Sequence, residues 1–179
     1  MQAVWFLVSL SYYGVFVWVP GQLATEGFGF VRGYGFLVIL ALAQVPGYAL
    51  AAWGVEAVGR RPTLAAFLVL SALGCGLFAL ASSPALVATA LIVMSFALLG
   101  TWGALYALTP EIYPTTLRAT GMGMAGALAR LGGLAAPSLM AALATRDFNA
   151  MIGLFAALLV LAAVLSFGIG RETRGASIA

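Results

Sequence analysis

Residues 106–133 read YALTPEIYPTTLRATGMGMAGALARLGG, and this stretch decides the fold. A short turn with Pro110, Glu111, Pro114 and Arg118 separates two long apolar runs. Each run is near the ~20 residues that an α-helix needs to cross the hydrocarbon of a bilayer. Charges gathered in a turn between two such runs mark the watery end of a helical hairpin. Arg130 lies well inside the second run, where a charge is costly in lipid and calls for a reason.

The rest of the chain repeats this pattern. Of its 179 residues, 64% are hydrophobic and 7% charged, where a water-soluble domain carries roughly 25% charged residues. Mean hydropathy is +1.11. Apolar runs fall at about 4–22, 34–53, 63–82, 85–108, 118–143 and 149–169, each close to one span and too long for the ~9–11-residue strands of a barrel. The expected fold is all-α: a polytopic membrane domain of six transmembrane helices over residues 1–179. All eight basic residues are arginine. Arg60, Arg61, Arg118, Arg171 and Arg174 fall on one side of the spans. Arg32 and Arg146 fall on the other, each near an acid, Glu26 and Asp147. The positive-inside rule then places both termini in the cytoplasm of a multi-pass protein of the cell membrane.

The composition also excludes chemistries. There is no histidine, and the single cysteine, Cys75, lies in an apolar run. Disulfide, zinc and imidazole-based proton chemistry therefore find no support. With no phosphate loop and no candidate triad, the sequence implies no enzyme, no cofactor, no metal site and no nucleic-acid partner.

Polar groups are unevenly shared among the spans. Ser9, Tyr12 and Tyr13 lie in the first, Gln44 beside Pro46-Gly47 in the second, Ser95, Trp102 and Tyr106 in the fourth, and Arg130 in the fifth. The third and sixth carry little. Spans one, two, four and five are expected to face a cavity, with three and six as scaffold, the three-plus-three pattern of an inverted repeat. At ~1.5 Å per residue Arg130 lies ~18 Å beyond Arg118, near the middle of a ~30 Å hydrocarbon core. No carboxylate in the sequence lies at that depth. A planar guanidinium suits bidentate binding of a carboxylate, so the counter-charge is either a bound anion or an acid on another six-helix half. The competing reading is an arginine held by backbone carbonyls freed at a helix break such as Pro46. Trp102 and Tyr106 share a helix face at i, i+4 and would wall a ligand site with Tyr12, Tyr13 and Gln44. Against this, Tyr106 also suits an interfacial belt, and one of the adjacent tyrosines is expected to face lipid.

Two loops carry a family resemblance. GVEAVGRRP (54–62) is similar to the G-x-x-x-D-R/K-x-G-R-R/K loop of the major facilitator superfamily, with Ala52 for the first Gly, Glu56 for Asp and Ala57 for the basic residue, while Gly59, Arg60 and Arg61 match. Pro110, Glu111, Pro114 and Arg118 resemble the matching loop of sugar-porter-like members. YPTTLRATGMG with ARLGG and Pro137 resembles the organic-ion and aromatic-acid:proton symporter branch. The resemblance covers nearly the whole chain and aligns its six spans with the family's C-terminal half. It implies alternating-access transport of a small organic solute, an organic acid anion on the strength of Arg130, or a sugar or polyol on the strength of the loops. It also implies a second six-helix half in the bilayer, either an N-terminal half or a homodimer mate. A non-transporting half or interaction module is the third reading. In the family the two loops form a cytoplasmic gate, which here implies Glu56 with Arg118, and Glu111 with Arg60 or Arg61. The plainer alternative is topogenic: arginines held in the cytoplasm beside solvated acids.

Overall fold

The computed structural model describes residues 1–18, 33–143, 148–170 and 172–174. Among the described residues, six α-helices follow in order. They are α1 (Gln2–Tyr13, continued by a π-helical turn, Gly14–Trp18), α2 (Tyr34–Ala57), α3 (Arg60–Ala79), α4 (Pro84–Glu111), α5 (Arg118–Leu143) and α6 (Phe148–Phe167). A 3-10 turn, Thr115–Leu117, leads into α5. Five of the helices are long and apolar enough to cross a membrane, and the described part of α1 is an apolar helix of shorter length. Residues 19–22 of the first expected run, and Glu26, Arg32, Arg146, Asp147 and Arg171 of the sidedness argument, lie outside the described residues. Among the described residues there is no strand.

Local chemistry sets the helix ends. Ser83, in extended conformation, caps α4 by accepting a hydrogen bond from the Leu86 N–H at 3.3 Å, with Pro84 in the first helical position where its missing N–H costs nothing. Between α2 and α3 the chain reverses at Gly59, whose φ of 130° is open only to glycine. α2 runs unbroken through Pro46.

The packing has an internal symmetry. α4 packs along α2 and α3, α1 packs along α5 and α6, and α3 packs on α6. Exchanging each helix with the one three places later maps this network onto itself, with α1 antiparallel to α4, as an inverted repeat requires. The close contacts obey the same exchange. A methyl group on Gly47 of α2 would strike the Phe96 carbonyl of α4, and one on Gly132 of α5 would strike the Phe6 carbonyl of α1. Gly100 of α4 faces the ring of Phe67 on α3, and Gly14 after α1 faces the ring of Phe155 on α6. Ser95 of α4 donates to the Leu40 carbonyl of α2 at 2.8 Å, and Ser9 of α1 donates to the Ala129 carbonyl of α5. Lipid gives little hydrophobic drive for helix association, so backbone approach at small residues and such cross-helix bonds hold the bundle together.

The core lies where these contacts meet, around Trp5, Leu68, Met94, Leu98, Leu105, Ile152 and Phe155. α2 is the least covered helix, with Leu37, Val38, Ile39, Leu42 and Val45 exposed.

Candidate functional site

The site is an aromatic cavity at mid-bundle, with a charged clamp at the end of the bundle where α2 meets α3. The cavity, of about 350 Å³, is lined by Trp5, Ser9, Tyr12 and Tyr13 of α1, Tyr48 of α2, Leu99, Trp102 and Tyr106 of α4, and Gly126, Ala129 and Arg130 of α5. Among the described residues, α3 and α6 contribute nothing to the lining. Its rings form a connected wall. Trp5 meets Trp102 edge-on at 5.4 Å between ring centroids and Tyr106 at 5.0 Å, while Tyr12 meets Trp102 at 6.0 Å and Tyr13 at 5.4 Å. Edge-to-face pairs of this kind contribute about 0.5–1.5 kcal/mol each beyond burial.

Arg130 projects from the middle of α5 onto this wall. Nη1 donates to its own helix at the Gly126 carbonyl, 3.1 Å away, and the side chain is exposed. Among the described residues no carboxylate pairs with it; both described ion pairs belong to Arg60. Its partner carbonyl lies on α5 itself, not at the Pro46 position considered from sequence. A second opening of about 370 Å³, lined by Tyr13, Arg130, Gly133 and Leu134, flanks the same guanidinium.

Two sequence expectations are refined here. Tyr12 and Tyr13 both line the cavity although they are neighbours on a helix: the cavity wraps around α1, and Tyr13 lies between the two openings. Gln44 does not line it. Its Nε2 donates to Ser95 Oγ at 3.2 Å, so it serves the α2–α4 crossing. Tyr48 and Trp5 line the cavity and were missed. Tyr48 falls one turn beyond Gln44, a spacing that could have flagged it, whereas Trp5 sits among apolar neighbours that gave no signal.

At the clamp, Arg60 Nε donates to both carboxylate oxygens of Glu111, at 3.2 and 3.0 Å, in a pair whose side chains are each only 13% exposed. Arg60 Nη2 also donates to Glu56 at 2.8 Å, but that carboxylate is 71% exposed and its solvated pairing contributes about 0–1 kcal/mol. Glu111 with Arg60 is one of the expected pairs. Glu56 with Arg118 is not formed, because Glu56 lies one turn from Arg60 and Arg118 Nε is taken by the Pro110 carbonyl at 2.8 Å. Arg61 pairs with no described acid. It donates to the Gly170 carbonyl at 2.8 Å and to those of Phe167 and Ser166, closing the C-terminal end of α6. Sequence reasoning also missed Glu172. Its carboxylate accepts the N–H groups of Arg60 at 2.8 Å and Arg61 at 3.0 Å, capping α3 from a distant part of the chain. Burial works to raise the Glu172 carboxyl, but donors from the backbone of Arg60, Arg61, Arg174 and Thr173 outweigh it and hold the group below the usual carboxylate range. Thr173 Oγ1 donates to Glu111, so the segment after α6 joins the clamp.

The family model of the Major Facilitator Superfamily matches residues 3–178. The chain belongs to the major facilitator superfamily. NiaP of Bacillus subtilis, by name a candidate niacin/nicotinamide transporter, is 40% identical over 97% of this chain and 44% of its own length. The niacin transporter NiaP of Acinetobacter baylyi is 38% identical over 98% of this chain and 40% of its own length. Among solved structures, the proton:xylose symporter XylE bound to 6-bromo-6-deoxy-D-glucose superposes with a TM-score of 0.77 at 18% identity, over 98% of this chain and 40% of that one. That likeness is one of fold. This superfamily chain spans less than half the length of the relatives it matches, and it is a multi-pass membrane protein of a transporter family, not of an enzyme family.

Proposed function

We propose that the chain is one six-helix half, the C-terminal one, of a secondary transporter that moves a small aromatic carboxylate across the cell membrane by alternating access. The observation that carries this is Arg130: a guanidinium at mid-bundle, with no acid paired to it among the described residues, on the rim of a cavity walled by Tyr12, Tyr13, Tyr48, Trp102 and Tyr106. In this reading the carboxylate replaces the Gly126 carbonyl on the guanidinium fork, and the ring of the solute packs edge-on against Trp102 and its neighbours. The relative named a niacin transporter supports this solute chemistry, a single aromatic ring bearing one carboxylate, while the name of the Bacillus subtilis relative adds the uncharged amide, which makes acid against amide the deciding comparison. A neutral sugar or polyol would leave Arg130 without a counter-charge, which disfavours that reading.

The Arg60–Glu111 pair with Glu56, Arg61 and Arg118 then forms the cytoplasmic gate of this half, with both termini on the cytoplasmic side. A second six-helix half, an N-terminal one or another copy of this chain, covers the exposed face of α2 and completes the pathway. Any coupling proton would titrate an acid on that second half.

Binding of nicotinate and nicotinamide to the chain in lipid nanodiscs tests the assignment. Nicotinate should bind and nicotinamide should not compete. Arg130→Lys should weaken nicotinate by about 10–100-fold, since it keeps the charge but loses the fork. Equal binding of acid and amide, or unchanged affinity in Arg130→Lys, would sink the carboxylate reading.

A further inference from the structure

We propose that Trp5 is a positioning residue that mechanically links the wall of the aromatic cavity to the Arg60–Glu111 clamp. The argument begins at the last turns of α4. Pro110 has no N–H to give the Tyr106 carbonyl, so one rung of the helix ladder is missing there. One residue earlier, Thr109 Oγ1 donates to the Leu105 carbonyl at 2.6 Å, a back-bond that loosens and bends helices. Thr89 and Thr101 make the same back-bond, but only at Leu105–Glu111 does it coincide with a missing rung, so this is the soft end of α4, and it carries Tyr106 of the cavity at one side and Glu111 of the clamp at the other.

Three successive residues of this soft end are each held by a different part of the molecule. Thr109 Oγ1 accepts from Trp5 Nε1 at 2.8 Å, the Pro110 carbonyl accepts from Arg118 Nε at 2.8 Å, and Glu111 accepts from Arg60. The Trp5 bond is the one that reaches back to the cavity. Trp5 is 2% exposed, so its ring cannot turn freely, and the same ring lies edge-on to Trp102 and Tyr106. A displacement of Trp102 or Tyr106 at the wall must move the Trp5 ring, and with it the only polar tie that Thr109 makes to α1 among the described residues. The tilt of the α4 end then changes, and the Glu111 carboxylate moves relative to Arg60. A buried ring bonded to the helix end that carries the ion pair gives a contiguous route from the cavity wall to the clamp, whose two-state character is measured by the distance between the two turns. Where the wall is displaced by a solute, this rests on the carboxylate reading of the cavity; the link itself does not.

The test uses spin labels on Val58→Cys and Thr116→Cys, in a Cys75→Ala background, with the distance between the two turns measured by pulsed electron resonance in nanodiscs. Thr109→Val loses the bond from Trp5 together with the local back-bond to the Leu105 carbonyl. Without any ligand, it should raise the population of the opened clamp about fivefold or more, the loss of the one cross-helix bond alone accounting for about fivefold. Trp5→Phe, which keeps a ring but loses the N–H, should do the same. Thr109→Ser should match the parent. Trp102→Ala should also broaden the distances, and should add nothing further on top of Thr109→Val, because both act through one link. Parent-like distances in Thr109→Val and Trp5→Phe, or full additivity of the double variant, would overturn the proposal. Added nicotinate should shift the distances in the parent and in Thr109→Ser but not in Thr109→Val. If nicotinate binds none of these proteins, the carboxylate reading fails while the ligand-free distances still decide the link.

Discussion

The first three helices and the last three are built on the same packing plan, yet they differ in what they place on the cavity. Each repeat has a glycine where α2 or α5 meets the backbone of its partner, a glycine against a phenylalanine ring, and a serine bonded to a carbonyl across the crossing. The polar residue in the middle of α2 is Gln44, and it is spent on Ser95 within the scaffold. The polar residue in the middle of α5 is Arg130, and among the described residues it is bonded only to its own helix, facing the cavity. What occurs twice is explained by the fold. Arg130 has no counterpart in the first repeat and no described bond to another helix, and its cost in lipid points to a role beyond packing.

The largest effect should come from exchanging these two roles. Arg130→Gln should lower nicotinate affinity by about 100-fold, through loss of charge-assisted bonds, while leaving thermal stability unchanged or higher. Gln44→Ala should do the reverse, leaving affinity within about twofold and costing about 0.6 kcal/mol of stability, the usual worth of a polar cross-helix bond in a membrane. Calorimetry and thermal unfolding read the two quantities separately, and a large affinity loss in Gln44→Ala would erase the contrast.

The shared plan can be broken at its glycines. Gly47→Val and Gly132→Val should each cost about 1–3 kcal/mol, because the added groups meet backbone carbonyls that cannot swing away. Gly14→Ala and Gly100→Ala meet the buried rings of Phe155 and Phe67, which have little room to move, and should cost a similar amount. Exposure of the buried Cys75 thiol on heating reports the unfolding. Unequal costs at Gly47 and Gly132, several-fold apart, would mean that the two crossings are not equivalent.

The smallest effect concerns the clamp end, where Glu172 from beyond α6 caps α3 and nothing comparable is described at the other repeat. Glu172→Gln should cost about 1 kcal/mol or less. Because the folded carboxyl is held low, its stabilisation is complete above the ordinary carboxylate range and is lost as pH falls through the lowered value. The stability difference between parent and Glu172→Gln should thus be constant near neutral pH and vanish in acid. A difference that grows on acidification would contradict the capping role.

Much of this was legible from residue types alone. Runs of apolar residues near one bilayer thickness announce helices, and Glu111 and Arg60 announce a charged end, because lipid tolerates neither open backbone nor free charge. The repeat was legible only as an uneven sharing of polar spans. Its proof lies in contacts such as Gly47 with Phe96 and Gly132 with Phe6, whose equivalent members (Gly47 and Gly132, Phe96 and Phe6) lie roughly half the chain apart and leave no matching string of letters. Glu172 and Trp5 were illegible for the same reason. One is an acid in a short tail and the other an apolar residue among apolar residues, and each acquires its role from a partner distant in sequence.

The sequence by itself determined that this is a helical membrane domain with an intramembrane arginine and two charged turns at one end. These are consequences of solvation, and solvation is read residue by residue. Only the tertiary structure decided that Gln44 serves the scaffold while Arg130 faces the cavity, that Glu111 meets Arg60 and not Arg61, and that Trp5 lies between wall and clamp. Those are matters of which atoms meet, and helix crossing fixes them through the few small residues that let backbones touch.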